Sequence, residues 1–306
     1  MADNPDDAHP DTELRQRAIA LYDAFTHAAQ SGARDRRAFM RELTLLAGSA
    51  TAAQALLAGI GANPAAAVIL PASDPRIKAQ SISWAAANGR TLSGYAARPA
   101  GPALKRPAVM VIHENRGLTE HIRDIARRVA LAGYLAVAPD FLTGVGGTPV
   151  DEDKARDLIG KLDLGATVAD AVASVHWLGH IAQSTGKVGA LGFCWGGAMV
   201  NHLAIGAGDM LRAGVAYYGP APDPARAISV KAAMLLHYAG LDDRVNAGAA
   251  AWVAALKAAT VDVTSFTYPG VNHAFNNDTS VERYDKAAAD LSWARTLAFF
   301  KAKLES

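Results

Sequence analysis

From about residue 74 onward, short uninterrupted apolar runs alternate with segments of helical periodicity, and this alternation limits the architecture more than any other feature of the chain. The runs PAVMVIHE (107–114), YLAVAPD (134–140), KVGALGFC (187–194), AGVAYYG (213–219) and AAMLLHYAG (232–240) lack polar alternation, and the more polar VTSFTYPG (263–270) completes the series. Runs of that kind are expected of strands covered on both faces. Helical spacing lies between them, from Ile122 to Ala132 and again at Val168, Val172, Val175 and Leu178. A last helix is expected from Val281 to Lys303. Ahead of the series, SISWAAA and LSGYAARPA flank the turn-forming NGR and read as a hairpin. The fold class is therefore α/β: a mostly parallel central sheet flanked by helices. Reactive residues in such folds gather on loops beyond the carboxyl ends of the strands.

Composition narrows the chemistry. Thirty basic and 29 acidic residues leave a formal net charge of +1, so no nucleic-acid partner is implied. A single cysteine, Cys194, rules out an internal disulfide and any multi-cysteine zinc site. No histidine pair has metal-ligand spacing with a carboxylate, so neither a metal nor another cofactor is expected.

Residues 1–73 form a separate N-terminal helical extension in this reading, and residues 74–306 the main domain. DTELRQRAIALYDAFTHAAQ carries apolar residues at Leu14, Ala18, Leu21, Tyr22 and Phe25, close to helical spacing. Within 35–67, Arg36-Arg37 followed by Phe39 and Met40 resembles a twin-arginine export signal, with small residues near Ala62 to Ala67 for cleavage. Against export stand the long stretch before the arginine pair, Glu42, and an apolar segment made mostly of Ala and Gly and broken by Pro64 and Pro71. That segment is too weakly apolar for a stable membrane anchor. A packed extension on a cytoplasmic protein is the expectation, with export to the periplasm as the alternative.

Cys194 sits where a strand is expected to turn into a helix, flanked by Gly192, Gly196 and Gly197. Strand, G-x-nucleophile-x-G, helix is the nucleophile-elbow pattern. The glycines avoid clashes in a tight turn, and the helix N-terminus favours negative charge on sulfur. An acid and then a histidine should follow, each past a later strand. Asp242 and Asp243 follow MLLHYAG, and His273 follows FTYPG. A solvated aspartate or a core histidine would be unremarkable alone; their joint placement at consecutive strand ends favours a triad. His113 ends the first buried run and borders the same region.

Together GFCWGG, GLDDRVN and YPGVNHAF resemble the dienelactone hydrolase family of α/β-hydrolases, over roughly Asp74 to Ser306. The resemblance implies an α/β-hydrolase fold and a Cys194, Asp242, His273 triad. The family's acid precedes a valine by three residues, so Val245 selects Asp242, with Asp243 the alternative. It implies that Glu114 positions the resting thiol, and that backbone N–H groups of Trp195 and Asn115 form the oxyanion hole. Arg116, His113, Phe275 and Asn277 become candidate pocket residues. Asn277 stands where family members acting on dienelactone have a carboxylate-gripping arginine, which weakens the case for an anionic lactone.

The function expected is hydrolysis of a small-molecule carboxylic ester or lactone through a thioester acyl-enzyme. The alternatives are a broad carboxylesterase or thioesterase without lactone specialisation, and a catalytically silent binding module on the same scaffold. A homodimer is left open.

Overall fold

The computed structural model describes residues 10–27, 36–60 and 69–306. Its centre is an eight-stranded sheet in the order β1-β2-β4-β3-β5-β6-β7-β8. β1 (Ile77–Ala85) and β2 (Thr91–Pro99) form the expected antiparallel hairpin, and β2 runs antiparallel to β4 (Leu135–Asp140). β3 (Arg106–Ile112), β5 (Ser184–Phe193), β6 (Ala213–Tyr217), β7 (Ala233–Ala239) and β8 (Val263–Tyr268) complete a parallel set with β4.

Period-two alternation explains the two cores. In β3, Val109 and Val111 pack towards α4 (Glu120–Leu131) and α9 (Lys286–Leu304), through Ile122, Ile125, Phe300 and Leu304. Ala108, Met110 and Ile112 face α6 (Leu164–His180), α7 (Trp195–Gly206) and α8 (Asp243–Ala258), through Val175, Val200 and Trp252. Both faces being covered is why β3 is apolar from Ala108 to Ile112, whereas the edge strand β8 is largely exposed and carries Thr264, Ser265 and Thr267.

Two elements differ from the sequence expectation. α9 starts at Lys286 rather than Val281, because Asp285 caps it by accepting from Ala288 N at 2.8 Å. Residues 281–283 form a turn, with Val281 69% exposed. A short helix, α5 (Glu152–Ile159), has no counterpart in the sequence reading; three acidic residues at its start mask its apolar positions, Ala155 and Ile159.

The N-terminal extension has its own small core. α1 (Pro10–His27), α2 (Arg36–Ala47) and α3 (Ala50–Ile60) bury Ile19, Tyr22, Phe25, Phe39, Leu43 and Ile60 among themselves. They also dock on the main domain. Arg15 pairs with Glu282 at 2.5 Å, Ser280 Oγ donates to the Ile60 carbonyl at 2.7 Å, and Arg36 pairs with Asp153. Among the described residues no single helix is long and apolar enough to cross a membrane; α2 and α3 reach that length only as a pair bent by 107°. The candidate cleavage region at Ala62 to Ala67 lies outside the described residues.

Candidate active site

β5 ends at Phe193 and α7 begins at Trp195, leaving Cys194 alone at the corner with φ 54° and ψ −115°. A positive φ in a residue with a side chain is strained, and it must be held by its surroundings. Cys194 N donates to the Tyr217 carbonyl at 3.0 Å, anchoring the corner to β6. The glycines are sterically required: a Cβ on Gly192 would lie 2.1 Å from the Gly196 carbonyl oxygen, and one on Gly196 would lie 2.4 Å from that of Ile112. The elbow geometry follows from these approaches.

His273 follows β8 and hydrogen-bonds Cys194 through its side chain. On its other side, Nδ1 lies 2.5 Å from Asp242 Oδ2. Asp242 caps α8, accepting from Val245 N at 3.2 Å through Oδ1, so one oxygen fixes the carboxylate while the other steers the imidazole. Asp243 is exposed at the first position of α8. Burial opposes charge on His273, but the charges of Cys194 and Asp242 outweigh it and raise its pKa to about 10. Burial would likewise raise Asp242, yet His273 holds that carboxyl below its ordinary value.

Glu114 lies just past β3 and lines a nook with Cys194 and His273. Its two oxygens accept from Asn277 Nδ2 at 2.7 Å and from the Tyr218 hydroxyl at 3.5 Å. Tyr218, at φ 37°, also sets its ring 4.9 Å from that of His273. Burial, then the charges of Glu114 and Cys194, raise its pKa well above the usual tyrosine value and keep it a neutral donor. Trp195 is the first residue of α7, where a backbone N–H has no intrahelical partner. The N–H of Asn115 makes no backbone hydrogen bond among the described residues either.

Of the four candidate pocket residues, Phe275 and His113 are placed elsewhere, while Asn277 and Arg116 reach the site with their polar groups already engaged. Phe275 is fully buried in a cluster of rings with Tyr217, Tyr218 and Tyr268, because the turn after His273 directs it beneath the site. His113 is also fully buried, its Nδ1 2.7 Å from the Glu114 carbonyl oxygen and its ring stacked on Trp195 at 5.1 Å; burial lowers its pKa. It supports the site from below rather than lining it. Asn277 does reach the nook, but its amide is spent on Glu114 and on Thr279, so it does not grip a substrate group. Arg116 lines the nook with its guanidinium already engaged, 3.4 Å from Asp153 and 2.7 Å from the Tyr22 hydroxyl.

Residues from the extension complete the site, which the sequence reading missed. Tyr22 and Thr26 of α1 line the nook, and Asp23 pairs with Arg283 at 3.3 Å. Arg283 is held on its other side by Ser280 Oγ at 2.9 Å, with its guanidinium over the Tyr22 ring at 5.2 Å. Helical spacing exposes none of this, since Tyr22 and Thr26 read simply as one face of an amphipathic helix. Cys194 borders two spaces: the nook, about 20 Å³, and a cavity of about 490 Å³. The cavity is walled by Ile159, Leu162, Leu164, Trp195, Met199 and Ala221, with Arg244 and His202 among its polar residues.

The sequence model described as "Dienelactone hydrolase family" matches residues 92–304. The chain belongs to the dienelactone hydrolase family. A protein of Escherichia coli O157:H7 named "Putative carboxymethylenebutenolidase" is 32% identical over 254 residues, covering 78% of this chain and 93% of its own. "Protein usf" of Aquifex pyrophilus is 34% identical over 224 residues, covering 71% of this chain and 96% of its own. The solved "Putative Dienelactone Hydrolase" of Klebsiella pneumoniae subsp. pneumoniae is 30% identical, with a TM-score of 0.66 over 73% of this chain and 98% of its own. This dienelactone hydrolase-like chain is thus a hydrolase acting on ester or lactone bonds, on an α/β-hydrolase fold.

Proposed function

We propose that this dienelactone hydrolase-like enzyme cleaves carboxylic esters or lactones through a thioester formed on Cys194. The observation that carries this reading is the hydrogen-bonded series Cys194–His273–Asp242 at the carboxyl edge of the sheet. The thiolate attacks the substrate carbonyl carbon, and the N–H groups of Trp195 and Asn115 receive the developing oxyanion. The C–O bond breaks as His273 gives its proton to the leaving alkoxide. His273 then takes a proton from water, the hydroxide attacks the thioester, and the C–S bond breaks to return the thiolate and release the acid. Asp242 orients the imidazole and stabilises its charge throughout.

The test is Cys194→Ala on a small activated ester. Turnover should vanish while the fold persists; retention of more than roughly a few per cent of wild-type activity overturns the mechanism.

The apolar cavity of about 490 Å³ favours a second reading, a carboxylesterase of broad scope without lactone specialisation. The loss of a free arginine at Asn277 points the same way. Open-chain esters and lactones assayed side by side decide between them, since a lactonase prefers the ring. The name carboxymethylenebutenolidase, carried by the Escherichia coli relative, makes a dienelactone the first ring to include.

We also propose that the extension stays on the working enzyme in the cytoplasm, because Tyr22 and Thr26 line the catalytic nook. Mass spectrometry of protein from the native host should find residues 10–60 retained; a mature chain starting near Ala67 overturns this.

A further inference from the structure

The nook between α1 and the catalytic residues is crowded with charge, yet almost every charge is already matched. Arg283 is 9% exposed and pairs with Asp23 at 3.3 Å, the two residues being 260 positions apart in sequence. Burial opposes charge on both partners: it pushes Asp23 up, against the pull of Arg283, and would push Arg283 down were Asp23 not beside it. Arg116 is held by Asp153, by Glu152 at 3.9 Å, and by the Tyr22 hydroxyl. Among the described residues the carboxylate of Glu114 accepts hydrogen bonds from the neutral donors Asn277 and Tyr218, and the Arg283 charge reaches it without a hydrogen bond. On the nook side of Cys194 an anionic group would therefore meet a buried carboxylate and no unengaged guanidinium, the exposed Arg244 standing on the cavity side. Leaving a charge unpaired in a buried site is strongly unfavourable, so such a group is rejected.

We propose that this enzyme accepts substrates that are uncharged beside the scissile carbonyl, and that Asp23 of α1 enforces this by engaging the buried guanidinium of Arg283. The inference rests on the ester-hydrolase reading for its substrate but not for its test. Asp23 acts through Arg283 and does not touch the reacting atoms, so it is a specificity residue rather than a catalytic one.

Cys194 is the chain's only cysteine, which makes alkylation an unambiguous probe. The thiolate displaces iodide from neutral iodoacetamide or anionic iodoacetate, forming one C–S bond as the C–I bond breaks. In the wild type, the ratio of the amide rate to the acid rate should exceed that of glutathione at the same pH by about tenfold, the scale of one unmatched charge in a partly buried site. Asp23→Asn should lower the ratio by about tenfold, and Asp23→Asn combined with Arg283→Gln should raise it again.

A wild-type ratio equal to that of glutathione overturns the proposal, as does an Asp23→Asn ratio within about twofold of wild type. If Asp23→Asn does not fold, the wild-type ratio decides, together with the preference for 4-nitrophenyl butyrate over the equally long 4-nitrophenyl hydrogen succinate. No preference for the neutral ester overturns the proposal. If neither ester is turned over while the alkylation ratio holds, the hydrolase reading fails and the charge selection stands.

Discussion

The two spaces that meet at Cys194 are built differently. The nook is roofed by α1 and walled by Glu114, Arg116, His273 and Arg283; it is about 20 Å³ and its polar groups hold one another. The cavity lies over α5, α6 and α7, is about 490 Å³, and sets apolar side chains beside Arg156, His202 and Arg244. One side offers oriented dipoles and no room, the other room and little direction. The proposed mechanism puts chemistry and substrate bulk on opposite sides of one sulfur atom, and substitutions can test whether they separate.

The most severe expected effect ignores the division. His273→Ala should lower kcat by about 10⁴-fold or more for every ester, measured under saturating substrate. A loss confined to bulky esters would break the comparison at once. Asp242→Asn should cost about 10³-fold to 10⁴-fold, again regardless of acyl length, because the wrong tautomer would face the thiol.

The next substitution should discriminate. Ala198→Leu narrows the cavity beside Trp195. It should lower kcat/KM for long acyl chains by roughly 10-fold to 100-fold while leaving acetate esters nearly unchanged. An equal loss for both would show that the cavity is not where bulk is placed.

The remaining effects concern stability. His273 has its folded pKa raised to about 10 from the ordinary 6.5. Its contribution to stability is therefore fully present below about pH 6.5 and is lost as pH rises through about 10. Urea unfolding of wild type and His273→Gln across that window should show the wild type losing stability relative to the variant as pH increases. Tyr22→Phe removes the 2.7 Å bond to Arg116 on the nook side. It should cost about 1–3 kcal/mol in unfolding free energy, because a charged donor is left without that partner. It should leave the preference for acyl length unaltered.

Much of this arrangement was legible because it is local. The continuous apolar runs reported strands covered on both faces, and the glycines around Cys194 reported a turn with no room for Cβ atoms. Asp242 and His273 could be chosen because each directly follows a strand. What was not legible depends on distant partners. Phe275 turns inward because three tyrosines surround it, and His113 lies under Trp195 because the elbow places the indole there. Asn277 is taken up by Glu114, 163 residues away. Nothing within α1 announces that its Tyr22 and Thr26 meet a catalytic centre, since that face looks like any apolar stripe.

The bond between Asp23 and Arg283 spans 260 positions, so it joins a segment made before the sheet to one made after it. During translation α1 must wait while the sheet assembles, because one of the arginines that hold it does not yet exist. Until then the thiol corner, formed by residue 194, stands unroofed on a partly made protein. Enclosure of the thiol by this pair thus waits until residue 283 has been made, and a chain arrested before it would leave Cys194 without that cover.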